Sequence, residues 1–246
     1  MSELVVSKIG IICGLKSEAK AVRAAFPDER VDVVISGANA QRAELLARAL
    51  CQPGKDQFGA ERGAVDLILS VGVSGGLLPA YQPGDLVIGS EVVTKSGERF
   101  ACEPRGLEML KKSHRAVGIS PSIIYGSDEV VMSAEHKQKI HAETGAKSVD
   151  MESHGAARAA AQAGIAFLAV RAIADPADRA LPTAALNAVK PDGGTRVFST
   201  LVNAARDPLQ FSELAQLGND SKQALKTLSV NLSGLLGVLL LGRDLG

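Results

Sequence analysis

The chain has 246 residues, enough for one α/β domain with a large core. Apolar residues make up 46% of it, Trp is absent, and 27 Lys and Arg balance 27 Asp and Glu. That apolar content excludes a disordered chain. The balanced, scattered charge argues against a nucleic-acid surface, which needs a basic excess or patch. Cys13, Cys51 and Cys102 form neither a CxxC pair nor a zinc cluster, and read as reduced thiols. The start MSELVVSKIGIICG lacks the basic segment and long apolar core of a signal peptide. No apolar run reaches the roughly 18 residues of a membrane span. A soluble, cytoplasmic protein is expected.

In chain order, residues 5–13 form an almost unbroken apolar, β-branched run, the pattern of a strand buried on both faces. Gly14 ends it, and a helix is expected over 17–25 with Ser17 as N-cap. A strand over 31–35 closes at Ser36-Gly37 and leads to a helix over 41–50. The polar stretch 52–63 reads as a surface loop. A third strand, 66–73, ends in Ser74-Gly75-Gly76, and a fourth covers 84–93. A helix over 107–116, a strand over 122–125 and helices over 134–144 and 152–163 follow. The strand 165–174 leads into an irregular segment, 176–194, and two helices are expected over 195–205 and 221–241. Apolar strands alternating with helices imply an α/β fold, a single domain over 1–246 with three αβα layers. Its sheet is mixed and largely parallel. Ligands of such sheets bind at the carboxyl ends of the strands, where this chain places its small and acidic residues.

Asp175 ends the 165–174 strand, immediately before Pro176. A partly desolvated carboxyl there can hold its proton to higher pH and act as a general acid. An Asp before Pro-Ala also suits a turn cap, and spacing does not choose between the two. Glu152, in the run VDMESHGAARAA (149–160), stands at a helix start. It reads either as a carboxylate stabilised by the helix dipole or as an acceptor for a sugar diol, with Met151 as an apolar floor. His154 reads as a surface or core-lining residue. The turn 73–76 lets a ligand approach the backbone. No GxxxxGK[ST] or GxGxxG motif is present, which disfavours nucleotide triphosphates and dinucleotides.

These motifs resemble, in order, those of the purine nucleoside phosphorylase and methylthioadenosine/adenosylhomocysteine nucleosidase superfamily. The likeness runs over 9–178, through IGIICGLKSEA, SGAN (36–39), SVGVSGGLLPAYQPGDLVIGSEVV (70–93), VDMES (149–153) and RAIADPAD (171–178). VDMESHGAARAA, AIADPADRALP and KPDGG (190–194) are more similar to its hopanoid-associated branch, whose substrate is adenosylhopane. The resemblance implies cleavage of a purine N-glycosidic bond. Asp175 would protonate N7, Glu152 would hold the ribose hydroxyls, and Met151 would line the sugar. Ser74, Gly75, Val130 and Val131 would meet the purine. It also implies a homo-oligomer, a small-molecule nucleoside as partner, lipid-linked in the hopanoid branch, and neither a metal nor an organic cofactor.

Two positions depart from the phosphorylase pattern: Ser70 replaces a phosphate-binding arginine, and Val73 replaces a serine or threonine. Glu18 falls where hydrolytic members carry the carboxylate that activates water, and a carboxylate there repels phosphate. Arg42 and Arg179 are alternative cations. The nucleophile stays open, with inorganic phosphate a candidate co-substrate. The segment TKSGERFACEPRG (94–106) is shorter than its counterpart in the methylthioadenosine enzymes, which is expected to open the 5′ side of the site. The apolar run LSGLLGVLLL (232–241) reads either as a helix packed on the core or a second subunit, or as a peripheral contact with a membrane.

Overall fold

The computed structural model describes residues 4–55, 61–111, 113, 119–183, 192–194 and 208–242. The wholly buried run β1 (Ile9–Cys13) pairs in parallel with β2 (Val31–Ile35) on one side and β5 (Leu67–Gly76) on the other. Two crossovers link these strands, α1 (Lys16–Ala25) and α2 (Ala40–Leu50). They run in opposite directions along the sheet, so their right-handedness puts the two helices on opposite faces.

Beyond β5 the sheet curls into a closed circuit. Strand β10 (Ala166–Asp175) lies parallel to β5 and antiparallel to β6 (Leu86–Thr94). Strand β8 (Ser122–Gly126) runs parallel to both β6 and β9 (Ser148–Asp150), and β9 closes antiparallel onto β5. The fold is α/β with a mixed sheet, as the alternating apolar runs imply. Helix α5 (Ser153–Ala163) packs against α2, and Gly155 faces the Ala40 carbonyl so closely that a β-carbon there would overlap it. Helices α1 and α3 (Pro104–Lys111) pack against the long C-terminal helix α6 (Pro208–Leu241). Helix α4 (Ala134–Thr144) carries Ser133 as its N-cap.

Several elements differ from expectation. Ser17 lies inside α1; Leu15 is the N-cap, and its amide is taken by the Glu18 carboxylate at 2.8 Å. The 52–63 stretch holds a small antiparallel pair, β3 (Gly54–Lys55) and β4 (Glu61–Arg62). Strand β9 was not expected, and neither was β7 (Arg99–Ala101), which pairs with β6. Helix α3 begins three residues before 107, at Pro104. The helix expected over 195–205 lies outside the described residues. Helix α6 starts at Pro208 rather than 221, running through Gly218. Its part Ser212–Leu241 is long enough to cross a membrane, and an 18-residue window within it has a mean hydropathy of 1.7. Leu232, Leu235, Leu236, Val238, Leu239 and Leu240 are nevertheless buried in the core. The apolar 232–241 run is therefore core packing, with no face left for lipid short of Leu241. The three cysteines are free thiols, and burial pushes the Cys102 thiol up to about 12.

Candidate active site

A cavity of about 740 Å³ opens where the carboxyl ends of β1, β5, β9 and β10 converge. That volume lies toward the upper end of the ~300–1,000 Å³ usual for small-molecule sites. Glu18, Ser74, Gly75, Val130 and Val131 all line it, as do Met151, Glu152 and Asp175. Residues far apart in the chain meet there because the parallel strands β1, β5 and β10 deliver their ends to one side of the sheet, while β9 runs antiparallel across the end of β5 and leads into Met151 and Glu152. The Ser36–Asn39 turn supplies Ala38, which lines the cavity in a left-handed conformation (φ 52°) rare for a residue with a β-carbon.

Glu18 projects from the first turn of α1 beneath the end of β5. One carboxylate oxygen accepts the Leu15 amide and the other the Val73 amide, each at 2.8 Å. Burial raises its carboxyl above the ordinary range, against the pull of those two amides. Glu152 is the N-cap residue of α5, yet its side chain caps nothing. Asp150 takes that role instead, accepting the amides of Glu152 at 3.0 Å and Ser153 at 2.9 Å. Glu152 thus stands at the helix start without capping it, and lines the cavity. Burial pushes Glu152 up to about 8, reinforced by the negative charges of Asp150 and Glu18 and opposed by Arg171.

Arg171 is the residue that sequence reasoning passed over here. It stands in the buried strand β10, 1% exposed, with its Nε 2.6 Å from Asp150 Oδ2. The same guanidinium reaches the hydroxyls of Ser70 at 2.6 Å and Ser153 at 2.7 Å, and lies 4.0 Å from Glu152. Burial opposes the ionisation of Asp150, but Arg171 and the Ser153 hydroxyl and amide outweigh it, so its carboxyl sits below the usual range. The signal was present: one charged residue inside FLAVRAIA must be paired if the strand is buried. Ser70 is fully committed to this Arg171 network.

Asp175 follows a register shift in β10, where Ile173 pairs with Ser74 but Asp175 already pairs with Gly75. The bulge breaks the alternation of a regular strand, and Ala174 and Asp175 both line the cavity. Burial raises the Asp175 carboxyl, and the nearby Lys137 ammonium opposes the rise. Glycines make room for all three acids. A β-carbon on Gly72 would stand 2.8 Å from Glu18 Oε1, and one on Gly75 3.2 Å from Asp175 Oδ2. One on Gly14 would overlap the Glu152 carboxylate outright. A Gly14→Ala variant should therefore displace Glu152 and lose at least ~10-fold in kcat/KM, the worth of one charge-assisted hydrogen bond to substrate. Gly75→Ala should be milder, and steady-state kinetics on both variants checks the order.

Other expected features lie elsewhere. His154 is buried against Gly126, pairs with Asp128 at 3.1 Å, and does not line the cavity. Arg42 lies on exposed α2, and Arg179 pairs with Asp220 of α6. Neither of these lines the cavity, where Lys222 of α6 is the one cation among the described residues. The 94–106 segment folds into the β6–β7 turn, β7 and the start of α3, and none of it lines the cavity. The cavity wall away from the sheet includes Leu181 and Leu214, Leu217 and Leu225 of α6. Of the KPDGG run, residues 192–194 cover the Gly14 turn, and the Lys16 amide donates to the Gly193 carbonyl at 2.9 Å.

The fold is similar to that of the 5′-methylthioadenosine/S-adenosylhomocysteine nucleosidase of Helicobacter pylori, with a TM-score of 0.67 and 16% identity, covering 94% of this chain and 98% of that one. It is similar to the futalosine hydrolase of the same organism, again with a TM-score of 0.67 and 16% identity, over 94% and 97% of the two chains. A nucleosidase described as putative, from Francisella philomiragia, gives a TM-score of 0.67 at 18% identity, over 94% and 98%. No curated protein sequence matches the chain. The phosphorylase superfamily profile matches residues 8–204, and the chain belongs to that superfamily.

Proposed function

We propose that the protein hydrolyses the N-glycosidic bond of adenosylhopane, releasing adenine in hopanoid lipid biosynthesis. The observation that carries this reading is the composition of one cavity. It holds four buried carboxyls at the sheet end, Asp150 being paired with Arg171, and its remaining lining includes Leu181 and the α6 leucines Leu214, Leu217 and Leu225. The carboxyls suit a nucleoside, and the apolar lining suits a hydrocarbon 5′ substituent, whose burial contributes ~25 cal/mol per Å².

Asp175 gives its proton to adenine N7 as the C1′–N9 bond breaks, and the bonding electrons leave with the base as neutral adenine. Glu152, in its ionised form, accepts hydrogen bonds from the ribose hydroxyls over Met151 and faces the cationic ribosyl centre. Glu18, fixed by the Leu15 and Val73 amides, takes a proton from the water that attacks C1′. Ser74, Gly75, Val130 and Val131 contact the base. The proton gained by Glu18 and the one lost by Asp175 re-equilibrate through solvent.

Water is favoured over phosphate because Glu18 already occupies backbone amides that would otherwise receive an anion, and Arg171 is committed to Asp150. A phosphate dianion beside an ionised Glu18 would meet like charge at low dielectric. Product analysis tests this. Adenine and the free ribosyl sugar should form at the same rate with and without phosphate. A ribosyl 1-phosphate product, or a rate that rises with phosphate, would assign the reaction to phosphorolysis. Equal turnover of methylthioadenosine and adenosylhopane would replace the lipid by a small thioether as the natural 5′ group.

A further inference from the structure

Helix α4 has the polar sequence AEHKQKIHAET, yet Lys137 in its first turns is completely buried. Its ammonium donates to the Asp175 carboxylate, to the Pro176 carbonyl at 2.8 Å and to the Arg179 carbonyl at 2.9 Å. Three acceptors match the three N–H bonds of a lysine ammonium. A buried ammonium without partners is strongly unfavourable, so this site is built to hold a charge. Lys137 does not line the cavity, and it can reach a nucleoside only through Asp175.

We propose that Lys137 is the positioning residue of the acid: it fixes Asp175 Oδ2 and stabilises the carboxylate left after the proton has gone to the base. This rests on the reading of Asp175 as proton donor. With Oδ2 held by Lys137, the transferable proton sits on Oδ1. As the glycosidic bond breaks, the Oδ1–H bond breaks and N7–H forms, and the charge left on Asp175 faces an ammonium already in place. No reorganisation is needed at that moment, which is how a fixed charge lowers a barrier. Other charged groups near Asp175 are Arg179, on the following loop, and Asp220 of α6, and these two pair with each other. Gly75 of β5 and Val149 of β9 stand beside Asp175, and neither carries a charge. Lys137 is thus the one nearby cation, among the described residues, whose charge is committed to Asp175.

The test uses a readout that needs no activity. The Asp175 side-chain carboxyl is followed by its 13C chemical shift through a pH titration in wild type, Lys137→Met, Lys137→Gln and Lys137→Arg. The Met and Gln variants should titrate about 1–3 pH units higher than wild type, the usual reach of an adjacent cation. Lys137→Arg, which keeps the charge, should stay near wild type, and Gln covers the case in which Met does not fold. In parallel, the neutral variants should release adenine roughly 10²-fold more slowly. They should still cleave a 4-nitrophenyl riboside, whose leaving group needs no proton, at close to the wild-type rate. An unmoved titration midpoint, or equal losses on both substrates, would overturn the proposal. If wild type releases no adenine from any adenosyl compound, the functional reading fails, while the titration still decides the role of Lys137.

Discussion

An Asp175→Asn variant should release adenine about 10²–10⁴ times more slowly than wild type, the usual contribution of a positioned general acid. The loss should fall on kcat and leave KM nearly unchanged, because an amide keeps the size of the group and removes only its proton. A 4-nitrophenyl riboside should retain most of its rate, since its departure needs no N7 protonation. The same change leaves the Lys137 ammonium buried without its anion, so stability should fall by about 3–5 kcal/mol. Activity must therefore be read well below the lowered Tm. His154→Ala provides the contrast: His154 is equally buried but away from the cavity, and the loss should stay within about 10-fold. Comparable losses in the two variants would remove the acid role from Asp175.

The second large effect concerns Glu152 and runs in opposite directions for stability and activity. Folded Glu152 holds its proton to about pH 8, whereas the same carboxyl in an unfolded chain titrates near its ordinary 4.5. Between those two values the folded protein binds the extra proton, so stability falls as pH rises through that window. Each pH unit of separation is worth ~1.4 kcal/mol. Glu152→Gln removes this cost. If two such units are realised, its Tm at pH 8.5 should exceed wild type by about 5–10 °C, with the gap closing toward pH 5. In the proposed mechanism the ionised carboxylate also binds the sugar, and losing its hydrogen bonds to the diol should lower kcat/KM by roughly 10- to 100-fold. Thermal melts at the two pH values, with kinetics on the same preparations, check both halves. A variant no more stable than wild type at pH 8.5 would mean that Glu152 ionises in the empty site at its ordinary pH, without cost to folding.

Much of this arrangement was legible because the strands are buried on both faces. The runs around Ile11, Leu69 and Val170 have no polar alternation, and each ends in a small or acidic residue, so both the sheet and its functional edge could be read. What stayed hidden depends on partners distant in sequence. Lys137 and Asp175 are 38 residues apart, and nothing in AEHKQKIHAET marks one lysine as buried. Asp150 was overshadowed by Glu152, because a helix-start acid is usually its own cap, and here the residue two positions earlier takes the amides. Strands β7 and β9 span three residues each, too few for a periodic signal, and exist only because β6, β5 and β8 offer edges to pair with. Helix α6 was read short because Gly218-Asn219-Asp220 looks like a break. Asp220 instead pairs with Arg179, and the leucines on either side of it line the cavity, so tertiary contacts override local propensity.

Adenine release by the wild-type enzyme from a series of 5′-substituted adenosines is the most direct test of the account. The series runs from adenosine through short 5′-alkyl analogues to adenosylhopane, assayed in phosphate-free buffer. The account predicts adenine in every productive reaction, with kcat/KM rising as the apolar substituent grows to fill the wall formed by Leu181, Leu214, Leu217 and Leu225. No adenine from any member would contradict it.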